Sequence, residues 1–88
     1  MTKTAYLETL SKNVAALRKA KGWNQEELAR KAGLSQKVIS NLESASEKKI
    51  HPTLNTIVSV ADAFGVSVFL LLTQLNDSRI EQLTSSPP

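Results

Sequence analysis

Residues 24–43 read NQEELARKAGLSQKVISNLE, and this stretch decides the fold. Asn24 can cap a helix, and Glu27 stands at the position that completes a capping box. Ser35 can open a second helix in the same way, while Gly33 between them can take the positive φ at which the first helix ends. The stretch therefore predicts two short helices joined by a tight glycine turn.

Three more helices are predicted on either side of this pair. Apolar residues recur at spacings of three and four over residues 6–21, and that helix is expected to end at Gly22. Residues 44–52 are polar without periodicity, which predicts a loop. A fourth helix then runs to Gly65, and Ser67 can cap a fifth. The expected apolar side of the fourth helix consists of Leu54, Ile57, Val58, Ala61 and Phe64.

No stretch alternates apolar and polar residues with the period of two that strands show. The sequence therefore predicts an all-α, compact five-helix domain over residues 1–74. Apolar positions become sparse after this point, so residues 75–88 are expected to form a C-terminal extension that ends in a disordered tail at residues 84–88. A chain of 88 residues has room for one modest core and for no second, catalytic domain.

The composition argues against several kinds of site. With no cysteine and one histidine, the chain is not expected to hold a disulfide, a thiolate nucleophile, a metal or another cofactor. One histidine and scattered acids also do not assemble the groups that an enzyme needs. The longest apolar run, residues 68–72, is too short to span a membrane, and the N-terminus lacks a secretory signal pattern. We therefore expect a cytoplasmic protein without a membrane segment.

The positive charge is concentrated in the first part of the chain. Residues 1–49 hold ten Lys or Arg against five Glu, whereas residues 50–88 hold one Arg against three acids. A bias of this kind is often only solvated surface, although it also suits a face that attracts phosphate. The charge alone does not decide between these interpretations.

Together with the flanking helices, residues 25–43 closely resemble the Cro and phage-repressor helix-turn-helix family, whose fold is the lambda-repressor-like DNA-binding domain. The resemblance extends over residues 7–72. It implies that Arg18 and Glu43 pair with each other inside the fold and that neither contacts DNA. The features that carry it are Arg18, Asn24-Gln25-Glu26-Glu27-Leu28-Ala29, Gly33, Ile39, Leu42-Glu43 and Phe64-Gly65-Val66-Ser67.

The resemblance also implies which residues read DNA. In this family the first residue of the third helix reads a base edge, and the first residue of the second helix braces it while touching phosphate; these are Gln36 and Gln25. A glutamine amide can donate and accept together, which matches the N6 and N7 edge of adenine. Opposite the buried side of the third helix, the expected base contacts are Gln36, Lys37, Ser40 and Asn41. The alternative is an ordinary solvated face.

A second set of residues is expected to contact phosphate. The loop after the third helix runs beside the sugar-phosphate strand in members of the family, although Ala45 stands here where the family often has glycine. Amide groups at helix starts have no internal partner and can bind anions. The expected phosphate contacts are Asn24, Gln25, Ser35, Ser44, Lys48, Lys49 and His51. If His51 does not contact DNA, it is an ordinary loop residue, and no metal or catalytic role is expected for it.

The expected mechanism places the third helix in the major groove of double-stranded DNA. Two copies would read half-sites about 34 Å apart, so the operator would be pseudo-palindromic and the protein a homodimeric repressor. The candidates for the dimer contact are the apolar residues Phe69, Leu70, Leu75, Ile80 and Leu83, because a monomer gains little by exposing them. The alternative is that the tail folds back over the last helix within one chain.

A different class of function also fits the sequence. The alternative is an antitoxin-like protein-interaction module, which binds a protein partner and regulates its own expression by binding DNA. A stable partner that copurifies with the chain would favour this alternative.

Overall fold

The computed structural model describes residues 4–84, and the regular elements in this range are all helices. In chain order they are α1 (Ala5–Ala20), α2 (Gln25–Ala32), α3 (Gln36–Glu43), α4 (Ala45–Lys48), α5 (Leu54–Phe64), α6 (Val68–Leu71) and α7 (Asp77–Thr84). The all-α class is confirmed. The predicted number of five helices is wrong, because seven lie within the described residues and α4 and α7 are additional.

The helix α4 occupies part of the predicted loop. It is a single turn anchored by the buried side chain of Ala45. It ends at Lys49, whose φ of 54° is left-handed, and the amide of Ile50 then donates to the carbonyl of Ala45 at 3.1 Å. One turn with one buried residue shows no apolar repeat, so periodicity could not reveal it.

The helix α7 folds back onto α1. The side chain of Asn76 begins it by accepting a hydrogen bond from the amide of Arg79 at 2.7 Å. Ile80 and Leu83 are half-buried and pack against the main core. Thr84 belongs to the helix, so the expected disorder does not begin there. The rest of that expectation concerns residues 85–88, which lie outside the described residues.

The ends of α2 and α3 follow the predicted local signals. The side chain of Asn24 accepts from the amide of Glu27 at 2.7 Å, and the amide of Asn24 donates to the Glu27 carboxylate at 3.3 Å, which is a complete capping box. Gly33 ends α2 with a φ of 69°. The hydroxyl of Ser35 caps α3 by accepting from the amide of Val38 at 3.2 Å. These contacts fix the tight turn between the two helices.

The core lies where α1, α2, α3, α5 and α6 meet. Its fully buried side chains include Leu10, Val14, Leu17, Leu28, Ile39, Leu42, Val60 and Leu71. The buried amide of Asn13 donates to the carbonyls of Leu71 and Thr73 at 2.8 Å and 2.7 Å, which ties α1 to the end of α6. The hydroxyl of Ser11 likewise donates to the carbonyl of Leu42 at 3.0 Å. These polar contacts fix α3 and α6 relative to α1.

The predicted apolar side of the fourth helix is partly wrong for α5. Ile57, Ala61 and Phe64 are buried, but Leu54 is 69% exposed and Val58 is 38% exposed. Residues four apart share a helix face, so these two side chains form a separate apolar strip on the outside of α5. None of the helices within residues 4–84 is long and apolar enough to cross a membrane.

Candidate nucleic-acid interface

A largely buried ion pair joins α1 to the end of α3. The Nε of Arg18 donates to one carboxylate oxygen of Glu43 at 2.6 Å, and its Nη2 donates to the other at 3.0 Å. The two side chains are 12% and 9% exposed. The hydrogen bond to Glu43 raises the pKa of Arg18 above its ordinary value, so the guanidinium stays charged. The pairing that the family resemblance implied is confirmed.

The same network reaches the start of α2. A further guanidinium nitrogen of Arg18 donates to the carbonyl of Trp23 at 2.7 Å, just before the helix begins. The side-chain amide of Gln25 donates to Glu43 at 3.2 Å. Gln25, which was expected to brace the first residue of α3, therefore braces the last one. Its expected contact with phosphate stays a prediction.

The outward side of α3 carries the predicted base contacts. Gln36 and Lys37 are exposed, whereas Ser40 and Asn41 are half-buried. Gln36 and Ser40 are four residues apart and follow one line along the helix, with Lys37 and Asn41 beside them. The first turn of α3 contains no acidic residue. This face offers an ammonium, a hydroxyl and two amides, which are the groups that recognise base edges.

The helix start at Ser35 suits an anion better than the one at Asn24. The amide of Asn24 is already bonded to the Glu27 carboxylate, and that negative charge repels a phosphate. The start of α3 carries no such charge, and the unpaired amides of its first turn are positive. Of the two expected helix-start contacts, the geometry favours the one at Ser35.

The remaining predicted phosphate contacts lie at and after the end of α3. The hydroxyl of Ser44 donates to the carbonyl of Ser40 at 2.7 Å, so it must turn away before it can donate to a phosphate. Lys48 donates to the side-chain oxygen of Asn41 at 3.2 Å, which holds an ammonium beside α3. Lys49 and His51 are exposed. Neither lysine forms an ion pair with a carboxylate of the described residues.

The predicted dimer contacts separate into two groups. Phe69 is 77% exposed on α6, and Leu70 next to it is half-buried. Leu75, Ile80 and Leu83 are half-buried and pack against the core of their own chain. That arrangement favours the folded-back tail for these three residues and leaves Phe69 as the strongest candidate.

Comparison with known proteins identifies the family. A family model described as helix-turn-helix matches residues 14–71, which include α2, α3 and the ion pair of Arg18 with Glu43. The chain belongs to the helix-turn-helix family, of the Cro and phage-repressor type. The family resemblance found in the sequence is thereby confirmed.

Two relatives of this helix-turn-helix protein carry descriptions of their own. A protein of Neisseria meningitidis serogroup B, described as a hypothetical transcription factor, is 36% identical over 77 residues, which cover 88% of this chain and 69% of that protein. An uncharacterized HTH-type transcriptional regulator of Sinorhizobium fredii is 38% identical over 66 residues, covering 75% and 82% of the two chains. No solved structure matches the chain significantly.

Two features of the structure were not predicted from the sequence. Tyr6 in the first turn of α1 contacts His51, a residue 45 positions later, and no periodic pattern signals such a pair. Leu54 and Val58 were assigned to the core because their spacing matches an apolar stripe. The spacing shows that they share a face with their neighbours but does not show how wide the buried face is.

Proposed function

We propose that this helix-turn-helix protein is a transcriptional repressor that binds a pseudo-palindromic operator in double-stranded DNA as a homodimer. Membership of the helix-turn-helix family supports the general part of this proposal, that the protein is a DNA-binding regulator. The observation that carries the proposal is the exposed, acid-free start of α3, where Gln36 and Lys37 stand beside the free amides of a helix N-terminus.

In the proposed complex, α3 lies in the major groove with its first turn towards the bases. Gln36 reads a base edge, and Lys37, Ser40 and Asn41 contact neighbouring bases or the phosphates beside them. Lys48, Lys49 and His51 follow the adjacent sugar-phosphate strand. The ion pair beneath α3 holds the helix in a fixed direction, so the base contacts need little ordering when DNA binds.

The first experiment is a selection of bound sequences from genomic DNA at moderate salt, with wild type, Gln36→Ala and Lys49→Gly. Gln36→Ala is expected to relax the preference at one base pair of each half-site and to cost about tenfold in affinity, within the range of one bidentate base contact. Lys49→Gly is expected to weaken all sequences alike, because it removes a phosphate contact.

Glycine is the suitable replacement at residue 49 because it takes the left-handed conformation of Lys49 without strain. The loop therefore keeps its path while the ammonium is removed. If wild type selects no common sequence and its binding disappears with salt, the operator-reading proposal is wrong.

The proposed dimer contact is formed by Phe69 together with the apolar strip of Leu54 and Val58. The helices α5 and α6 that carry these side chains pack against each other. Phe69 and Leu54 are 77% and 69% exposed, and large apolar side chains that form a contiguous exposed patch are typical of an interface. We assign this contact to a second copy of the chain, because an operator with two-fold symmetry is bound by a symmetric dimer.

Phe69→Ser is expected to weaken the dimer at least tenfold without lowering the melting temperature of the monomer, since the side chain contributes little to its own core. Sedimentation equilibrium over a range of concentrations measures this, and Ser78→Ala on the exposed side of α7 is the control. A wild-type protein that stays monomeric on its operator at high concentration contradicts the dimer.

The antitoxin-like alternative rests on the same exposed apolar side chains, because a different protein can cover them instead of a second copy. In that case wild type copurifies with a partner in a fixed ratio, and Phe69→Ser releases the partner while the remaining protein is monomeric. This outcome would move the protein-interaction function ahead of the homodimer.

A further inference from the structure

A hydrogen bond between Tyr6 and His51 connects α1 to the loop beside α3. The Tyr6 hydroxyl lies 2.7 Å from Nδ1 of His51, and the two rings are tilted by 37° with their centroids 5.7 Å apart. Tyr6 is half-buried and packs against the core, whereas His51 is exposed. The fold therefore fixes the tyrosine, and the tyrosine in turn orients the imidazole.

The backbone on both sides of His51 is also held in place. Before it, the amide of Ile50 donates back to Ala45 at the end of α4. After it, the hydroxyl of Thr53 accepts from the amide of Thr56 and begins α5. Within residues 4–84, the bond to Tyr6 is the one side-chain hydrogen bond of His51. The orientation of the ring thus depends on this contact.

The direction of this hydrogen bond sets which ring nitrogen of neutral His51 carries the proton. A phenol donates a hydrogen bond more readily than it accepts one, and the unprotonated nitrogen of a neutral imidazole is a good acceptor. If Tyr6 donates to Nδ1, the proton of neutral His51 is on Nε2. The outer nitrogen is then a donor. In the other tautomer it would be an acceptor and would repel a phosphate oxygen.

We propose that Tyr6 is a positioning residue for DNA binding: its hydroxyl holds neutral His51 in the Nε2–H tautomer, and this N–H donates to a backbone phosphate. The inference rests on the proposed function and extends it to a residue outside the helix-turn-helix. Tyr6 then affects the affinity for DNA through His51, and this effect does not depend on the base sequence.

The first test uses the free protein and needs no DNA. Long-range proton–nitrogen NMR of the histidine side chain, recorded at pH 8, reports which ring nitrogen is protonated. Wild type is expected to show the Nε2–H form, and Tyr6→Phe a mixture of the two tautomers. Phenylalanine keeps the ring that packs on the core, so the melting temperature should change little. A wild-type protein in the Nδ1–H form overturns the proposal.

The second test measures operator affinity at pH 8 for wild type, Tyr6→Phe, His51→Ala and the double variant. Tyr6→Phe is expected to weaken binding about three- to tenfold, as the loss of one neutral hydrogen bond does. The double variant should bind no more weakly than His51→Ala, because Tyr6 acts through the histidine. The salt dependence should not change, since a neutral donor releases no counterion.

The outcomes separate this inference from the proposed function. If wild type binds a specific operator but Tyr6→Phe binds it equally well, or the two losses are additive, the role of Tyr6 is wrong and the operator model stands. If wild type binds no specific sequence, both are wrong, whatever tautomer the NMR spectrum shows.

Discussion

Replacing Glu43 by alanine is expected to lower the free energy of unfolding by about 3–5 kcal/mol, the usual cost of removing one partner of a buried ion pair. The Arg18 guanidinium would keep its charge at a site where its side chain is 12% exposed, with only the carbonyl of Trp23 left as an acceptor. Gln25 would lose its acceptor as well. Because 1 kcal/mol shifts the midpoint of a domain of this size by about 4–8 °C, thermal unfolding should show a fall of more than about 12 °C.

A second substitution tests whether the stranded charge is the cause. Arg18→Met combined with Glu43→Leu removes both charges and keeps apolar volume, so it is expected to recover much of the lost free energy of unfolding.

The exposed pair of Glu8 and Lys12, whose charged atoms are 2.8 Å apart, is a matched control. The hydrogen bond from Lys12 lowers the pKa of Glu8, yet Glu8→Ala should barely change the melting temperature, because both side chains are solvated. Equal effects of Glu8→Ala and Glu43→Ala would contradict the argument.

The parts of the fold that the sequence predicts are those with local causes. Asn24, Gly33 and Ser35 act on amides and dihedral angles within a few residues, and their caps and turn are as expected. The single turn of α4 and the C-terminal α7 could not be predicted in this way. Ala45 gives α4 only one buried position, and α7 is held by packing on α1, a contact between distant parts of the chain.

In the candidate site, too, features with local causes could be predicted from the sequence and contacts between distant residues could not. The exposed face of α3 follows from its buried residues Ile39 and Leu42, since the opposite side of a short helix must face outward. The pairing of Arg18 with Glu43 followed only from the family resemblance, because 25 residues separate them. The contact of Tyr6 with His51 had no signal of either kind. Which side chains reach DNA is therefore still a prediction for every residue named.

Replacing Gln36 by glutamate is expected to weaken DNA binding without lowering the stability of the fold. Gln36 is exposed at the first position of α3, and the first turn of that helix holds no acid. A carboxylate there interacts favourably with the helix dipole, so the free energy of unfolding should stay the same or rise by about 0.3–1 kcal/mol. A loss of binding in this variant cannot then be attributed to unfolding.

Operator affinity should fall about 100-fold in the same variant, equivalent to about 2.7 kcal/mol. The change keeps the shape of the side chain but removes the amide donor that pairs with adenine N7, and it sets a negative charge among the phosphates. A carboxylate can still accept from the N4 amine of cytosine, so selected sites should move towards cytosine at the affected position. Gln74→Glu, in the exposed connection between α6 and α7, makes the same charge change away from α3 and should cost little. If the two variants lose affinity equally and select the same sequence, the loss reflects net charge alone, and α3 does not read bases.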